Sequence, residues 1–188
     1  MQDIEPFYNW EKYYVAANDR KSPFYGRDYN LNQYEHDIYG YYIHPLWDEI
    51  DSETLYVKIL FADYKKQFVV IELFGEWNDT LHNDIMYFKR NVIDHLLAQG
   101  IQYFVLIAEN VLNFHGSDDE YYAEWFDEIE DGWIAIVSSR DHTEHEWRRY
   151  RLDYYLNFGG TLHLDNWRTM QPHPLFELVK SLIIRRLQ

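Results

Sequence analysis

The sequence predicts an α/β fold with a mixed sheet, in which an antiparallel hairpin leads into a parallel βαβαβ section flanked by helices. Residues 54–62 and 67–74 are rich in β-branched and aromatic side chains, and the turn between them is too short for anything but antiparallel pairing. Residues 101–108 and 133–137 are almost continuously apolar, which is typical of parallel strands covered on both faces. Apolar residues recur at helical spacing between these runs.

The first 50 residues precede this unit and contain half of the 18 tyrosines. Residues 6–17 favour a short helix, although their aromatic side chains suit a strand equally well. Residues 37–44 predict a strand that ends before Pro45. Because no linker or repeat divides the chain, we expect a single α/β domain over 1–188, with the Tyr-rich extension 1–50 packed on it.

Three helices are predicted around the apolar strands. The first ends at Gly100, and residues 78–80 (Asn-Asp-Thr) can provide its N-cap. The second and third begin at capping boxes over 117–120 and 141–144. The side chains expected to face the core from these two helices are Tyr122, Trp125, Phe126, Ile129, Trp147, Tyr150 and Tyr154.

The C-terminal residues predict a short strand at 161–164 and then a helix that follows Pro172 and Pro174. Apolar residues such as Leu178, Leu182 and Ile184 surround this last helix on several sides. It is therefore either well buried or a contact between two copies of the chain, and a homodimer is one of the assemblies we expect.

The net charge of −15 is concentrated in the first part of the chain. Residues 1–146 carry 29 acidic and 10 basic side chains, whereas residues 147–188 carry 3 acidic and 7 basic ones. An acidic body repels the phosphate backbone, so nucleic acid is not an expected partner.

The absence of cysteine excludes disulfides, thiolate nucleophiles and Cys-ligated metals. No segment approaches the roughly 20 consecutive apolar residues of a membrane span. Asp3 and Glu5 stand where a signal peptide would be basic. We therefore expect a soluble cytoplasmic protein, and no sequence motif indicates a cofactor.

Polar residues follow the apolar strands, and the carboxyl ends of parallel strands meet at one edge of a sheet. Glu76, Glu109, Asp141 and His142 are therefore candidates for acid–base or metal-assisted chemistry. His142 and His145, spaced i and i+3 on a helix, are a candidate metal pair, although no third ligand is specified by spacing. Helix caps and solvated turn residues explain the same positions without chemistry.

No nucleophile elbow, phosphate loop or dinucleotide fingerprint is present, which favours a protein without enzymatic activity. The first functional hypothesis is a non-catalytic interaction or regulatory module, whose protein partner docks on the acidic segment 118–131. The alternative is a metal-assisted hydrolase that uses the strand-end candidates. A third hypothesis is an acidic body that mimics nucleic acid toward a basic partner.

Residues 67–138 resemble a STAS domain, the fold of anti-sigma factor antagonists and sulphate-transporter tails. The segment Ile71-Glu72-Leu73-Phe74-Gly75-Glu76-Trp77-Asn78-Asp79 is similar to the family's turn into its first helix, and Asn110-Val111-Leu112-Asn113-Phe114-His115-Gly116-Ser117 to the loop before its second. Bacterial antagonists carry in that loop a serine that a partner kinase phosphorylates. The resemblance implies that Ser117 is the regulatory residue. The family's Asp-Ser-Ser-Gly-like loop is here His115-Gly116-Ser117-Asp118.

Overall fold

The computed structural model describes residues 2–188 and confirms the predicted mixed α/β architecture. Its strands are β1 (Gln2–Ile4), β2 (Glu35–Ile38), β3 (Tyr41–Ile43), β4 (Asp48–Glu49), β5 (Leu55–Asp63), β6 (Phe68–Asn78), β7 (Tyr103–His115) and β8 (Trp133–Val137). The larger sheet has the order β4-β5-β6-β7-β8, with antiparallel pairing up to β6 and parallel pairing from β6 to β8. A smaller sheet has the order β1-β3-β2.

The α-helices are α1 (Asp84–Phe88), α2 (Asp94–Ala98), α3 (Glu120–Glu128), α4 (Asp141–Arg149) and α5 (Pro172–Arg186). A π-helical turn, Lys89–Ile93, joins α1 to α2. Helices α1 to α4 cover one face of the larger sheet, and α5 covers the other. Of the helices in the described part of the chain, none combines the length and apolar character that crossing a membrane requires.

Three local predictions in the flanking segments are wrong. The single strand over 37–44 is instead the hairpin of β2 and β3, because Tyr39 and Gly40 adopt positive φ and reverse the chain. Of residues 6–17, residues 9–13 form turns, and only the last two belong to a helix, the short 3₁₀-helix Ala16–Asn18. The strand predicted over 161–164 overlaps another 3₁₀-helix, Gly160–Leu162, and contains no strand residue.

Strand β7 continues to His115, well beyond the end at residue 108 that its apolar run predicts. It remains paired with β6 over this extension, up to the register Asn78↔His115, so both strands project past the end of β8 at Val137. Glu109 and the segment 110–115 are therefore strand residues rather than a loop. This extension decides where the predicted site residues lie.

A buried carboxylate attaches the N-terminal segment to the larger sheet. The backbone N–H of Phe7 donates to Oε2 of Glu72 on β6 at 2.8 Å, and Glu72 is only 1% exposed. The Trp10 indole donates to the carbonyl of Met170 at 2.9 Å. Burial raises the pKa of Glu72 to about 7, although the Phe7 N–H and the charge of Arg168 act in the opposite direction.

This environment predicts a pH-dependent stability. Because an unfolded glutamate titrates near about 4.3, and folded Glu72 near about 7, folding takes up a proton in that pH window. The stabilising contribution is complete below the unfolded pKa and is lost as pH rises through the folded one. We expect the free energy of unfolding, measured by urea denaturation, to fall between about pH 5 and about pH 7.5, and Glu72→Gln to reduce that slope.

Some slope should remain in Glu72→Gln, since burial also raises the pKa of Asp79 to about 7. Glu177→Gln, at an exposed glutamate of α5, is the matched control and should leave the slope unchanged. A Glu72→Gln variant with the wild-type slope would contradict the assignment.

Lys89, in the π-helical turn, forms ion pairs with two glutamates of α3. Its side chain is 0% exposed, and the ammonium forms a short ion pair with Asp94 and further pairs with Glu128 at 2.9 Å and Glu124 at 3.5 Å. The acidic segment 118–131 contains no basic residue, and part of its charge is compensated by this cation from the neighbouring helix. The ion pairs therefore help to set the position of α3.

Replacing the buried cation should destabilise the fold more than replacing its exposed neighbour. Lys89→Met leaves three carboxylates without their common donor, and we expect a loss of about 2 kcal/mol in the free energy of unfolding. Arg90 also pairs with Asp94 and Glu124, but its side chain is 46% exposed. Arg90→Met should therefore cost less than about 1 kcal/mol. Urea denaturation measures both, and equal losses would show that burial of Lys89 is immaterial.

Candidate functional site

Glu76 lies at the carboxyl edge of the parallel strands, and its carboxylate contacts three polar side chains. Its carboxylate accepts hydrogen bonds from the Tyr39 hydroxyl at 2.7 Å and the Asn78 amide at 2.9 Å. Nε2 of His115, which faces Asn78 across the β6–β7 pair, lies 3.0 Å from Oε1 of Glu76. Burial is the main cause of a raised pKa at Tyr39, and the hydrogen bond to Glu76 is the second cause. Glu76 thus joins the two projecting strands to the hairpin of the smaller sheet.

The other three strand-end candidates have separate partners. Glu109 forms a short ion pair with Arg168. His142, in the first turn of α4, donates to the carbonyl of Leu112 at 2.8 Å. Asp141 is the first residue of α4, because Arg140 occupies the N-cap position assigned to the aspartate by the capping-box prediction. Of the four candidates, only Asp141 belongs to a group of three potential metal ligands among the described residues.

Among residues 2–188, one group of three potential metal ligands has all its ligand atoms within 4.8 Å of one another: Asp141, Glu144 and His163. His145 lies outside this group, beside His115 and His142 in a shallow depression. Sequence reasoning placed Glu144 in a capping box and gave His163 no role. Only the i, i+3 spacing of the two acids pointed to a common helix face, and nothing in the spacing pointed to His163.

Asp79 and its surroundings fix how α1 and α3 meet β6. Its carboxylate accepts the Trp77 indole N–H at 3.0 Å, the backbone N–H of Ile85 at 2.8 Å and the Tyr122 hydroxyl at 2.5 Å. Asp79 thus binds the start of α1 and also α3 from a buried position. Burial raises its pKa to about 7. The N-cap predicted at residues 78–80 is wrong, because α1 begins only at Asp84 and Asn83 occupies its N-cap position.

The exposed side of α3 meets an aromatic cluster. Phe126 on α3 lies 5.8 Å from Tyr154 and 5.7 Å from Tyr155, measured between ring centroids, and Tyr154 is 74% exposed. Both Phe126 and Tyr154 were predicted to face the core. Both are exposed. Tyr154 leaves the predicted core position because α4 ends at Arg149 and Arg151 turns the chain with a φ of +59°.

Carboxylates surround this cluster. Asp119 accepts a hydrogen bond from the Tyr155 hydroxyl at 2.7 Å, and this contact raises the pKa of the phenol to about 12. Asp127 and Asp153 are exposed nearby, and in the described chain neither forms an ion pair. The acidic–aromatic surface is defined by these residues: Asp119, Phe126, Asp127, Asp153, Tyr154 and Tyr155.

Ser117 is exposed and lies three residues before α3. It does not cap the helix, since Asp119 occupies the N-cap position without a side-chain capping bond, and the N–H of Glu120 donates to Asp118 at 3.2 Å. Its hydroxyl is therefore not committed to the role that the capping-box prediction gave it.

A scan against models of known protein families finds no match, and a search of curated proteins finds none either. Among solved structures, the phosphorylated form of SpoIIAA, a Bacillus cell fate determinant, is similar with 14% sequence identity and a TM-score of 0.37. The alignment covers 56% of this chain and 92% of that chain.

Proposed function

We propose that this protein is a non-catalytic interaction module that binds a basic protein partner on its acidic–aromatic surface. The observation that carries the proposal is the exposure of Tyr154 and Phe126 among carboxylates that form no ion pair in the described chain. One cation, Arg151, lines the same depression, and the carboxylates Asp119, Asp127 and Asp153 outnumber it. An isolated exposed aromatic ring is ordinary, but a contiguous cluster rimmed by charge suits recognition.

The aromatic and acidic residues of this surface indicate which residue types its partner would present. Aromatic side chains supply large contact areas at low entropic cost and dominate the energetics of many interfaces. Asp119, Asp127 and Asp153 would attract lysine and arginine side chains and increase the rate of encounter. The partner we propose therefore presents an apolar or aromatic residue flanked by basic ones.

A second copy of the chain is a poorer occupant of this surface. A symmetric dimer would bring the two acidic surfaces together, and the chain already has a net charge of −15. Helix α5, the other candidate for a dimer contact, buries Leu175, Phe176, Val179, Leu182 and Ile183 within its own chain. We therefore place a different protein on the acidic–aromatic surface and leave a homodimer as an outcome of the test.

Ser117 is the residue at which we propose regulation of this binding. A phosphate would add about −1.5 to −2 charges near Asp118 and Asp119. The added charge would strengthen attraction for a basic partner, while repulsion from the neighbouring acids would weaken the first turn of α3. Ser117 thus lies where a modification changes the acidic–aromatic surface without altering the buried core.

Site-specific photo-crosslinking in the source cell tests the proposal. A photoreactive phenylalanine analogue replaces Tyr154, and a matched one replaces Leu187, which is 80% exposed at the end of α5 on the opposite side of the sheet. We expect the Tyr154 position to yield a distinct adduct with a basic protein, and the Leu187 position not to yield it. Mass spectrometry identifies the adduct.

The charge requirement is tested in the same assay. Asp127→Lys together with Asp153→Lys should abolish the adduct, because the reversed charges repel a basic partner, whereas Glu177→Lys on α5 should preserve it. An adduct that is insensitive to these reversals, one that appears equally from both positions, or one that is a second copy of this chain would refute the proposed partner.

A further inference from the structure

A compact group of metal-ligating side chains lies at the start of α4, apart from the acidic–aromatic surface. Asp141 and Glu144 stand at i and i+3 on one face of the helix, and His163 approaches them from the segment after the 3₁₀-helix Gly160–Leu162. Nε2 of His163 lies 2.7 Å from Oε1 of Glu144. The three ligand atoms lie within 4.8 Å of one another.

From this geometry we infer a binding site for a divalent transition-metal ion, held by Asp141, Glu144 and His163. Glu144 forms the floor, since it is buried, while Asp141 and His163 are exposed and leave an approach from solvent. Two carboxylates and an imidazole satisfy the oxygen and nitrogen preferences of Zn²⁺ and leave further coordination positions for water.

The surroundings of Glu144 favour such a role. The Ser139 hydroxyl donates to Oε1 of Glu144 at 2.6 Å, and an outer hydrogen bond of this kind orients a metal-ligating carboxylate. Asp141 and Glu144 are like charges on one helix face, which is unfavourable unless a cation lies between them. A Cβ at Gly159 would lie 2.9 Å from Oε2 of Glu144, so the glycine allows the backbone to pass close to this carboxylate.

Two opposing features shape the expected behaviour of the site. With Zn–N and Zn–O bonds of about 2.0–2.1 Å, two ligand atoms of a tetrahedral site stand roughly 3.3 Å apart. The ligand atoms of Glu144 and His163, now 2.7 Å apart, must therefore separate by roughly 0.6 Å to admit the ion. The Arg148 guanidinium lies 3.6 Å from Oε2 of Glu144 and competes with a cation. Since Arg148 is largely exposed, it can move away when the ion binds.

Calorimetric titration of the chelator-treated full chain with Zn²⁺ alone, and the visible absorption of bound Co²⁺, measure the site. We expect one ion per chain, an affinity at least tenfold lower in Glu144→Gln and in His163→Ala, and a higher affinity in Arg148→Gln. Mg²⁺, which prefers a full set of oxygen ligands, should bind at least tenfold more weakly than Zn²⁺.

The control is the double variant His142→Ala and His145→Ala, which removes the histidine pair that the sequence favoured and leaves the inferred ligands intact. It should bind Zn²⁺ like the wild type. Because His163 contacts the buried Glu144, the thermal transition of His163→Ala without metal is measured as well, and the affinities are compared at a temperature at which this variant is folded. The inference is overturned if binding is not saturable at one ion, if it is lost in the His142/His145 variant, or if Glu144→Gln and His163→Ala bind as tightly as the wild type.

Discussion

The parallel pairing of β6 with β7 is the interaction on which the rest of the structure depends. It runs from Phe68↔Tyr103 to Asn78↔His115. The other strands of the larger sheet flank this pair, with β5 and β4 on the β6 side and β8 on the β7 side. Because parallel strands need a crossover, the pairing also places the α1–α2 helix on one face of the sheet. Its extension beyond β8 creates the projecting edge on which Glu76 and His115 meet.

Buried carboxylates attach the peripheral segments to this central pair. Glu72 binds the N-terminal segment on the face covered by α5, and Asp79 binds α1 and α3 on the other face. Both have a pKa that burial raises to about 7. A buried carboxyl group is tolerated when hydrogen bonds surround it, and here those bonds hold segments that are distant in sequence. The stability of the periphery is consequently linked to pH.

The proposed interaction surface and the inferred metal site depend on the same stretch of irregular chain after α4. Arg151 ends the helical path with a positive φ, which turns Tyr154 outward toward Phe126 and lets the chain return with His163 beside Glu144. A continued helix would have buried Tyr154, as its spacing predicts, and would have carried residue 163 away from the start of α4. The acidic–aromatic surface and the inferred metal site are thus consequences of one early helix end.

The sequence by itself determined the strands and helices of the central unit, because apolar periodicity is a local signal. Strand β8 has its predicted bounds, and the first helix ends near Gly100 as predicted. The hairpin of β5 and β6 forms as predicted, and β6 continues four residues past its predicted end, to Asn78. It could not determine that β7 continues through residues 109–115, since this more polar segment becomes a strand only by pairing with β6. Nor could it separate Glu76, Glu109 and Asp141, or bring His163 to Glu144, 19 positions away. Such contacts are decided by tertiary packing, because they join residues whose separation along the chain carries no periodic signal.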